Sequence, residues 1–312
     1  MKFTISFLLL IASQVHVEAT FTVAATDTAT GQQGAAGCTC VVPEAVSLYN
    51  HYHSVVGKGV LLSQASPPDA DSPVYSKAHE LLSAGQDCDT VLQAITNDTS
   101  LDGESSIRQY ACVDSRGNAA GYTGAGIQEF YDVLLSLNGE EVQPHAQVDE
   151  QGSAGSVFYS AQGNIVSKNT VPLLSDGFEQ AEGCDLAGRL FRSIVAVDDS
   201  NNQARANGSS EDTNFEGDVR CENGIGEGII PGYGYPGLQA YIHVEDVNGN
   251  EVLHIESLPE GGVNPYDEIR EKYAQWRLAN PCPSHDYSSN ANAAQFSMVV
   301  GMAVVALATI MI

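Results

Sequence analysis

The chain has 312 residues, with 39 acidic side chains against 13 lysines and arginines, a formal net charge of −26. A surface of that sign repels phosphate backbones and argues against a nucleic-acid partner, while self-repulsion favours solubility. The 43% hydrophobic fraction is that of a globular protein, and the length suits one large domain or two small ones.

In chain order, Met1-Lys2 is followed by the apolar run Phe3 to Ala12 and a polar stretch ending Val17-Glu18-Ala19. That grammar predicts a secretory signal peptide over 1–19. Cleavage after Ala19 would make Thr20 the first residue, placing an α-amine beside its own hydroxyl. The amine, with an ordinary pKa of about 7.7–8.0, can be a neutral base near physiological pH, so Thr20 is a candidate nucleophile. Thr20 to Asp27 alternates and is rich in β-formers; Thr28 to Gly31 is a turn, and Gln32 to Val42 returns as a second strand. Val55 to Gln64 predicts a third strand, broken by Pro67-Pro68-Asp69. Tyr75 to Thr96 predicts helix, interrupted at Gly85-Gln86-Asp87. Ile107 to Val113 and Ala119 to Thr123 form a hairpin. Glu129 to Ser153 is polar and predicts a surface excursion. Val157 to Ala161 predicts a short strand. Helical patterns cover Thr170 to Ala181 and Cys184 to Val197, and Asp198 to Glu216 predicts a loop. Leu238 to Asp246 and Glu251 to Glu256 predict a hairpin across Asn248-Gly249. Asn264-Pro265 starts a last helix to about Leu278. Hairpins with helices in blocks predict an α+β fold, two sheets with helices outside.

The tail has the small-residue run Ser288-Ser289-Asn290-Ala291, a short polar spacer and an uncharged apolar stretch from Met298 to Ile312. Residues 281–312 are therefore expected to be a linker plus a glycolipid-attachment signal, with Ser288 or Ser289 as anchor site, or else a retained membrane tail. Asn97-Asp98-Thr99 and Asn207-Gly208-Ser209 are glycosylation sequons. Seven cysteines in an exported chain should mostly pair, leaving at least one over. Cys38 and Cys40 lie on one face of a strand and are expected to bridge to other elements rather than to each other. No zinc-type spacing accompanies them. His51-Tyr52-His53 has no third ligand nearby in sequence, so neither a metal nor a cofactor is expected. Gly224 to Gly228 is a glycine-rich loop without the helix and Lys-Ser/Thr of a phosphate cradle, and no G-x-S-x-G elbow is present.

Seven stretches in order resemble a family called domain of unknown function 1028, usually described as N-terminal-nucleophile (Ntn)-hydrolase-like. The opening Thr20 to Cys38 resembles its start, Val55 to Ser66 its glycine-containing third strand, Tyr75 to Ile95 its helix pair and Arg108 to Gly124 its hairpin. Phe158 to Asn164 carries its Gln-Gly-Asn and Gly217 to Arg220 its Gly-Asp-x-Arg; Pro265 to Trp276 matches its closing helix. The resemblance spans about 20–280 and implies a four-layer αββα sandwich. The segments Glu129–Ser153, Asn201–Phe215 and Glu222–Gly237 depart from the family pattern.

The resemblance implies hydrolysis of a small-molecule or peptide amide by Thr20 through an acyl-enzyme. Asn164 and Gln64 are candidate oxyanion donors, Gln64 also as a substrate-binding residue. Asp218 would hold the terminal ammonium or orient the hydroxyl. Arg220 would meet an anionic substrate group or pair with Asp218. Lys58, if near Thr20, would favour the neutral amine. Each has a plainer reading: β-forming threonine, ion pair, turn asparagine, surface lysine. The alternative function is a non-catalytic surface protein that keeps the fold for binding or display, with Tyr233 to Tyr235 as a recognition loop. The oligomeric state stays open.

Overall fold

The computed structural model describes residues 20–40, 47–137, 146–181, 185–206, 217, 236–258 and 264–282. The signal-peptide segment, Asn207, Asp218, Arg220, Ser288, Ser289 and the apolar tail lie outside the described residues.

Among the described residues, ten strands form two sheets. The larger comprises β1 (Thr20–Asp27), β2 (Gln33–Thr39), β7 (Ala146–Ala154), β8 (Val157–Val166), β9 (Gln239–Glu245) and β10 (Glu251–Ser257), in the order β10-β9-β2-β1-β8-β7. The smaller runs β3 (Tyr52–Val55), β4 (Gly59–Gln64), β5 (Gln109–Asp114), β6 (Ala119–Thr123). Every strand pairing is antiparallel.

Six helices occur among the described residues: α1 (Pro73–Ser83), α2 (Cys88–Thr96), α3 (Ile127–Leu137), α4 (Thr170–Glu179), α5 (Leu186–Ala206) and α6 (Pro265–Ala279). None is long and apolar enough to cross a membrane. Strand alternation sorts the core. Phe21, Val23 and Ala25 of β1 point towards α4, α5 and α6, joining Leu174, Phe178, Leu190, Ile194 and Tyr266. Their neighbours in β1 point the other way, into a thin layer where Ala24 and Ala35 meet Val60, Leu62, Ala111 and Val113 of the smaller sheet. That sheet buries its other face, Leu61, Tyr110 and Cys112, against Val74, Leu82, Val91 and Ile95 of α1 and α2. The fold is thus mixed α+β, as the sequence predicted.

Contact between the sheets demands small side chains. A Cβ on Gly37 would stand 2.6 Å from Thr22 Cγ2 and 3.0 Å from a Tyr241 ring carbon, so this position in β2 accommodates glycine only.

Several boundaries differ from expectation. Val55 to Gln64 is not one strand; residues 56–58 form a turn joining β3 to β4. The expected excursion from Glu129 contains α3 and β7. The Ile127, Phe130, Tyr131 spacing is helical, whereas β7 is an edge strand with both faces half-exposed and no apolar alternation to betray it. Asp198 to Ala206 continues α5, because Arg270 of α6 pairs with Asp198 and Asp199 at 2.7 Å each. Strand β8 extends to Val166, making Asn164 a strand residue and not a turn residue. The last helix begins as expected, with Pro265 in the first turn and Asn264 Oδ1 accepting the Tyr266 N–H at 3.0 Å.

Cys88 and Cys112 form a disulfide from the start of α2 to β5. Cys40 and Cys282 each take part in a disulfide, whereas Cys38 is a buried thiol, contrary to the expectation that it bridges. Its sulfur lies where a side chain on Gly237 would stand. Asn97 is exposed at the end of α2.

His53 of β3 stacks on Tyr75 with centroids 3.6 Å apart, and burial lowers it to about 4. Burial, then the charge of His53, lowers His51 to about 4. An unfolded histidine titrates near 6.5, so between these values the unfolded chain binds more protons than the folded one, and stability falls as pH drops through that window. We expect the thermal midpoint, followed by circular dichroism, to fall between pH 7 and pH 4. His53→Gln should lessen the slope; an unchanged slope would show that the imidazole titrates as in the unfolded chain.

Candidate functional site

Thr20 opens β1, a central strand, and its side chain is fully buried between the sheets. Register places it opposite Thr39 of β2 on one side and Asn164 of β8 on the other. Its hydroxyl donates to Thr39 Oγ1 at 3.1 Å.

Among the described residues, this end of the inter-sheet layer is polar but carries no charge until its edge. Gln64, the last residue of β4, extends Nε2 to the Thr20 carbonyl at 3.3 Å and to Gln109 Oε1 at 2.7 Å. Its Oε1 accepts from the Thr22 hydroxyl at 2.9 Å. Gln109 Nε2 in turn reaches Thr123 Oγ1 at 3.0 Å and the Gly163 carbonyl at 3.1 Å. The Thr123 hydroxyl donates to the Asp149 carboxylate at 2.6 Å. Each hydroxyl or amide thus accepts from the group before it and donates to the next, from Thr22 to a terminal anion. That direction fixes the orientation of both glutamine amides.

Asn164 Nδ2 makes a longer contact, 3.5 Å, with the Thr20 carbonyl. Among the described residues, Asn164 Oδ1 and both amide atoms of Gln162 are buried without a hydrogen-bond partner. A site that binds a polar group would use such atoms.

The backbone beside this layer is strained. Ala65 and Ser66, directly after Gln64, have φ of 58° and 60°, and Ile165, directly after Asn164, has φ of 52°. A β-branched residue there is a genuine outlier, costing about 1–2 kcal/mol. Ala65 and Ile165 pack together against Ile127 and Tyr131 of α3, which covers this end of the sandwich. The Ser66 carbonyl accepts from Arg108, whose guanidinium also pairs with buried Asp102 at 2.8 Å. Tyr110 donates to the same carboxylate at 2.8 Å; burial, then this bond, raises its pKa far above the ordinary phenol value.

The structure therefore brings together Thr20, Gln64 and Asn164. It does not bring Lys58 to them. Lys58 lies in the β3–β4 turn, its carbonyl accepting from Ser115 next to Asp114, whose own carbonyl accepts from Thr26. That is the other end of β1, roughly 20 Å from Thr20 at strand rise. Thr22, Thr39, Gln109 and Thr123 carry no motif in the sequence, and Gln162 stands there only as part of the Gln-Gly-Asn stretch. Their signal is weak, a run of polar residues at alternate positions of otherwise buried strands.

The family described as "Family of unknown function (DUF1028)" matches residues 20–211, more than half of the chain. The chain belongs to the DUF1028 family. The match opens at Thr20 and ends before the Gly217–Arg220 and Pro265–Trp276 stretches. This DUF1028 protein is also similar to the crystal structure of SPO2555 from Silicibacter pomeroyi, itself described as DUF1028. The two are 18% identical, with a TM-score of 0.54 covering 83% of this chain and 86% of that one. At this identity the likeness is one of fold. No curated protein matches the chain.

Two substitutions test the site's energetics by urea unfolding. Gln64→Leu strands the Thr20 carbonyl, Thr22 and Gln109 and should cost about 2–4 kcal/mol. Ser66→Gly relieves a left-handed residue that packs little and should gain about 0.5–1 kcal/mol.

Proposed function

We propose that this protein is an exported, surface-anchored amide hydrolase of Ntn type, with Thr20 as nucleophile after removal of residues 1–19. In this reading the two facing sheets and their outer helices form the four-layer αββα sandwich of such enzymes. The observation that carries the proposal is the position of Thr20: first residue of a central strand and first residue of the family match, with two buried amides on its carbonyl.

The Thr20 hydroxyl attacks the amide carbonyl, passing its proton to the Thr20 α-amine directly or through one water. Collapse of the tetrahedral intermediate expels the amine product with that proton and leaves an ester on Thr20, which water then hydrolyses. Gln64 and Asn164 act on the nucleophile in this scheme: their N–H groups meet the Thr20 carbonyl and so fix the strand end from which its amine and hydroxyl project. Asn164 Oδ1 is the acceptor we assign to the liberated amine. Enclosure among neutral amides lowers an amine's pKa, so the base needs no nearby lysine. Asp218 and Arg220, outside the described residues, keep the roles expected from sequence. A C-terminal lipid anchor at Ser288 or Ser289 would hold the protein on the cell surface. The second reading is a non-catalytic display protein, in which the Thr20 hydroxyl only joins β1 to β2 through Thr39.

Mass spectrometry of the exported protein should return Thr20 as its first residue. A β-lactone probe should label the native chain and Thr20→Ser but not Thr20→Ala, with all three equally folded. A different first residue, or equal labelling of Thr20→Ala, refutes catalysis by Thr20. A phosphatidylinositol-specific phospholipase should release the protein from membranes; persistence would mean a retained tail.

A further inference from the structure

The β9–β10 hairpin carries a second group of chemically competent side chains. His243 of β9 and His254 of β10 are directly opposite each other, and their Nδ1 atoms face at 3.3 Å. Two ligands on one tetrahedral ion at bond lengths of about 2.0–2.1 Å stand about 3.3 Å apart, so the imidazoles already have the spacing of one edge of such a site. Glu251 completes a trio whose ligand atoms all lie within 4.8 Å of one another.

Glu251 owes its place to an irregularity. Three residues before His254, it would fall on the opposite face of a regular strand. The register shifts between Glu251 and Leu253, and this bulge turns Glu251 onto the histidine side. Its side chain is exposed and can swing in, whereas His243 is buried and His254 half-buried.

The surroundings suit a cation. His243 presents its other nitrogen, Nε2, to Glu245 Oε2 at 3.9 Å, the carboxylate–histidine order that orients a ligand from behind. The other Glu245 oxygen accepts from Gln33 Nε2 at 2.5 Å, which holds the carboxylate in place. Tyr49 lies 4.7 Å from the His254 ring and 5.0 Å from that of His243; Tyr52 lies 5.0 Å from His243. These rings wall one side. A groove of about 350 Å³ between β10 and α6, lined also by Lys272, Gln275 and Trp276, borders Glu251 and His254.

We propose that His243 Nδ1, His254 Nδ1 and the Glu251 carboxylate bind one divalent transition-metal ion of the zinc type, with a fourth position open towards this groove. Two imidazoles and one carboxylate select against calcium and magnesium, which prefer oxygen ligands. The site is separate from Thr20. His243 sits two strands away at the level of Ala24, roughly 16 Å from it by strand geometry, so the proposal stands whether or not Thr20 is catalytic.

The test is titration of the full chain with Zn²⁺ against a chromophoric chelator, and with Co²⁺ followed by its visible absorption. One ion per chain should bind at micromolar metal, with the intense bands of tetrahedral Co²⁺. His254→Gln should lose more than tenfold in affinity, as should Glu251→Gln, and Glu245→Gln about 10- to 100-fold. His79→Gln, exposed on α1, should bind as the parent does. Absence of binding at micromolar metal, or undiminished binding in His254→Gln, overturns the proposal. Should His243→Gln fail to fold, the two variants at the sheet edge decide the matter.

Discussion

Two sheets can face each other at close range only if the side chains between them are small, and polar groups carried into that layer must be paired there because water is excluded. Here the middle of the layer meets the first condition with alanines and Gly37. The end holding Thr20 meets the second with a chain of neutral donors and acceptors from Thr22 through Gln64, Gln109 and Thr123 to Asp149. Because each member accepts from one neighbour and donates to another, the bonds polarise in one direction, and loss of any member leaves two others short. The strand register, the amide orientations and the position of the Thr20 carbonyl all follow from this chain. The described residues around Thr20 are amides and hydroxyls, whose burial in so thin a layer is far less costly than that of ionised groups.

The same layer explains where the backbone departs from ideal geometry. Gln64 and Asn164 end their reach at the Thr20 carbonyl, and in both cases the chain then turns through left-handed residues. Those conformations are unfavourable by about 1–2 kcal/mol for residues with a side chain. They persist because each is held from outside the strand. Ala65 and Ile165 are packed beneath α3, and the Ser66 carbonyl is held by Arg108, itself locked to Asp102. In a chain this acidic, cations are scarce, and three of the described arginines act as fasteners. Arg108 secures the strained turn, while Arg270 and Arg277 fasten α6 to Asp198 and Asp185 of α5 and its approach.

How much of this was legible in the sequence depends on the kind of signal. The β1–β2 hairpin, the β9–β10 hairpin across Asn248-Gly249 and the capped start of α6 announce themselves through alternation, turn residues and an Asn-Pro pair, and all three form as expected. Edge strand β7 does not, since its partner covers only one side and neither face is apolar. The candidate site was half legible. Thr20, Gln64 and Asn164 could be picked out by motif, but the sequence does not tell which end of the sandwich a residue occupies. Lys58 was therefore drawn towards Thr20, although a turn at residues 56–58 carries it to the far end. Gln109 was invisible for the opposite reason: one glutamine in a strand has no pattern.

Register also governs what a histidine can do. His51 and His53, close in sequence, invited a metal reading, yet His53 is absorbed in stacking on Tyr75. His243 and His254, eleven residues apart, are symmetric about the centre of the Asn248-Gly249 turn, and antiparallel pairing makes them opposite neighbours. Their facing nitrogens require that at most one Nδ1 carry a proton, and that neither does when a cation lies between them. The hairpin therefore confers on two unremarkable histidines an arrangement that sequence proximity does not give His51 and His53. The bulge at Glu251 adds a carboxylate on the same face, where a regular strand would have turned it away.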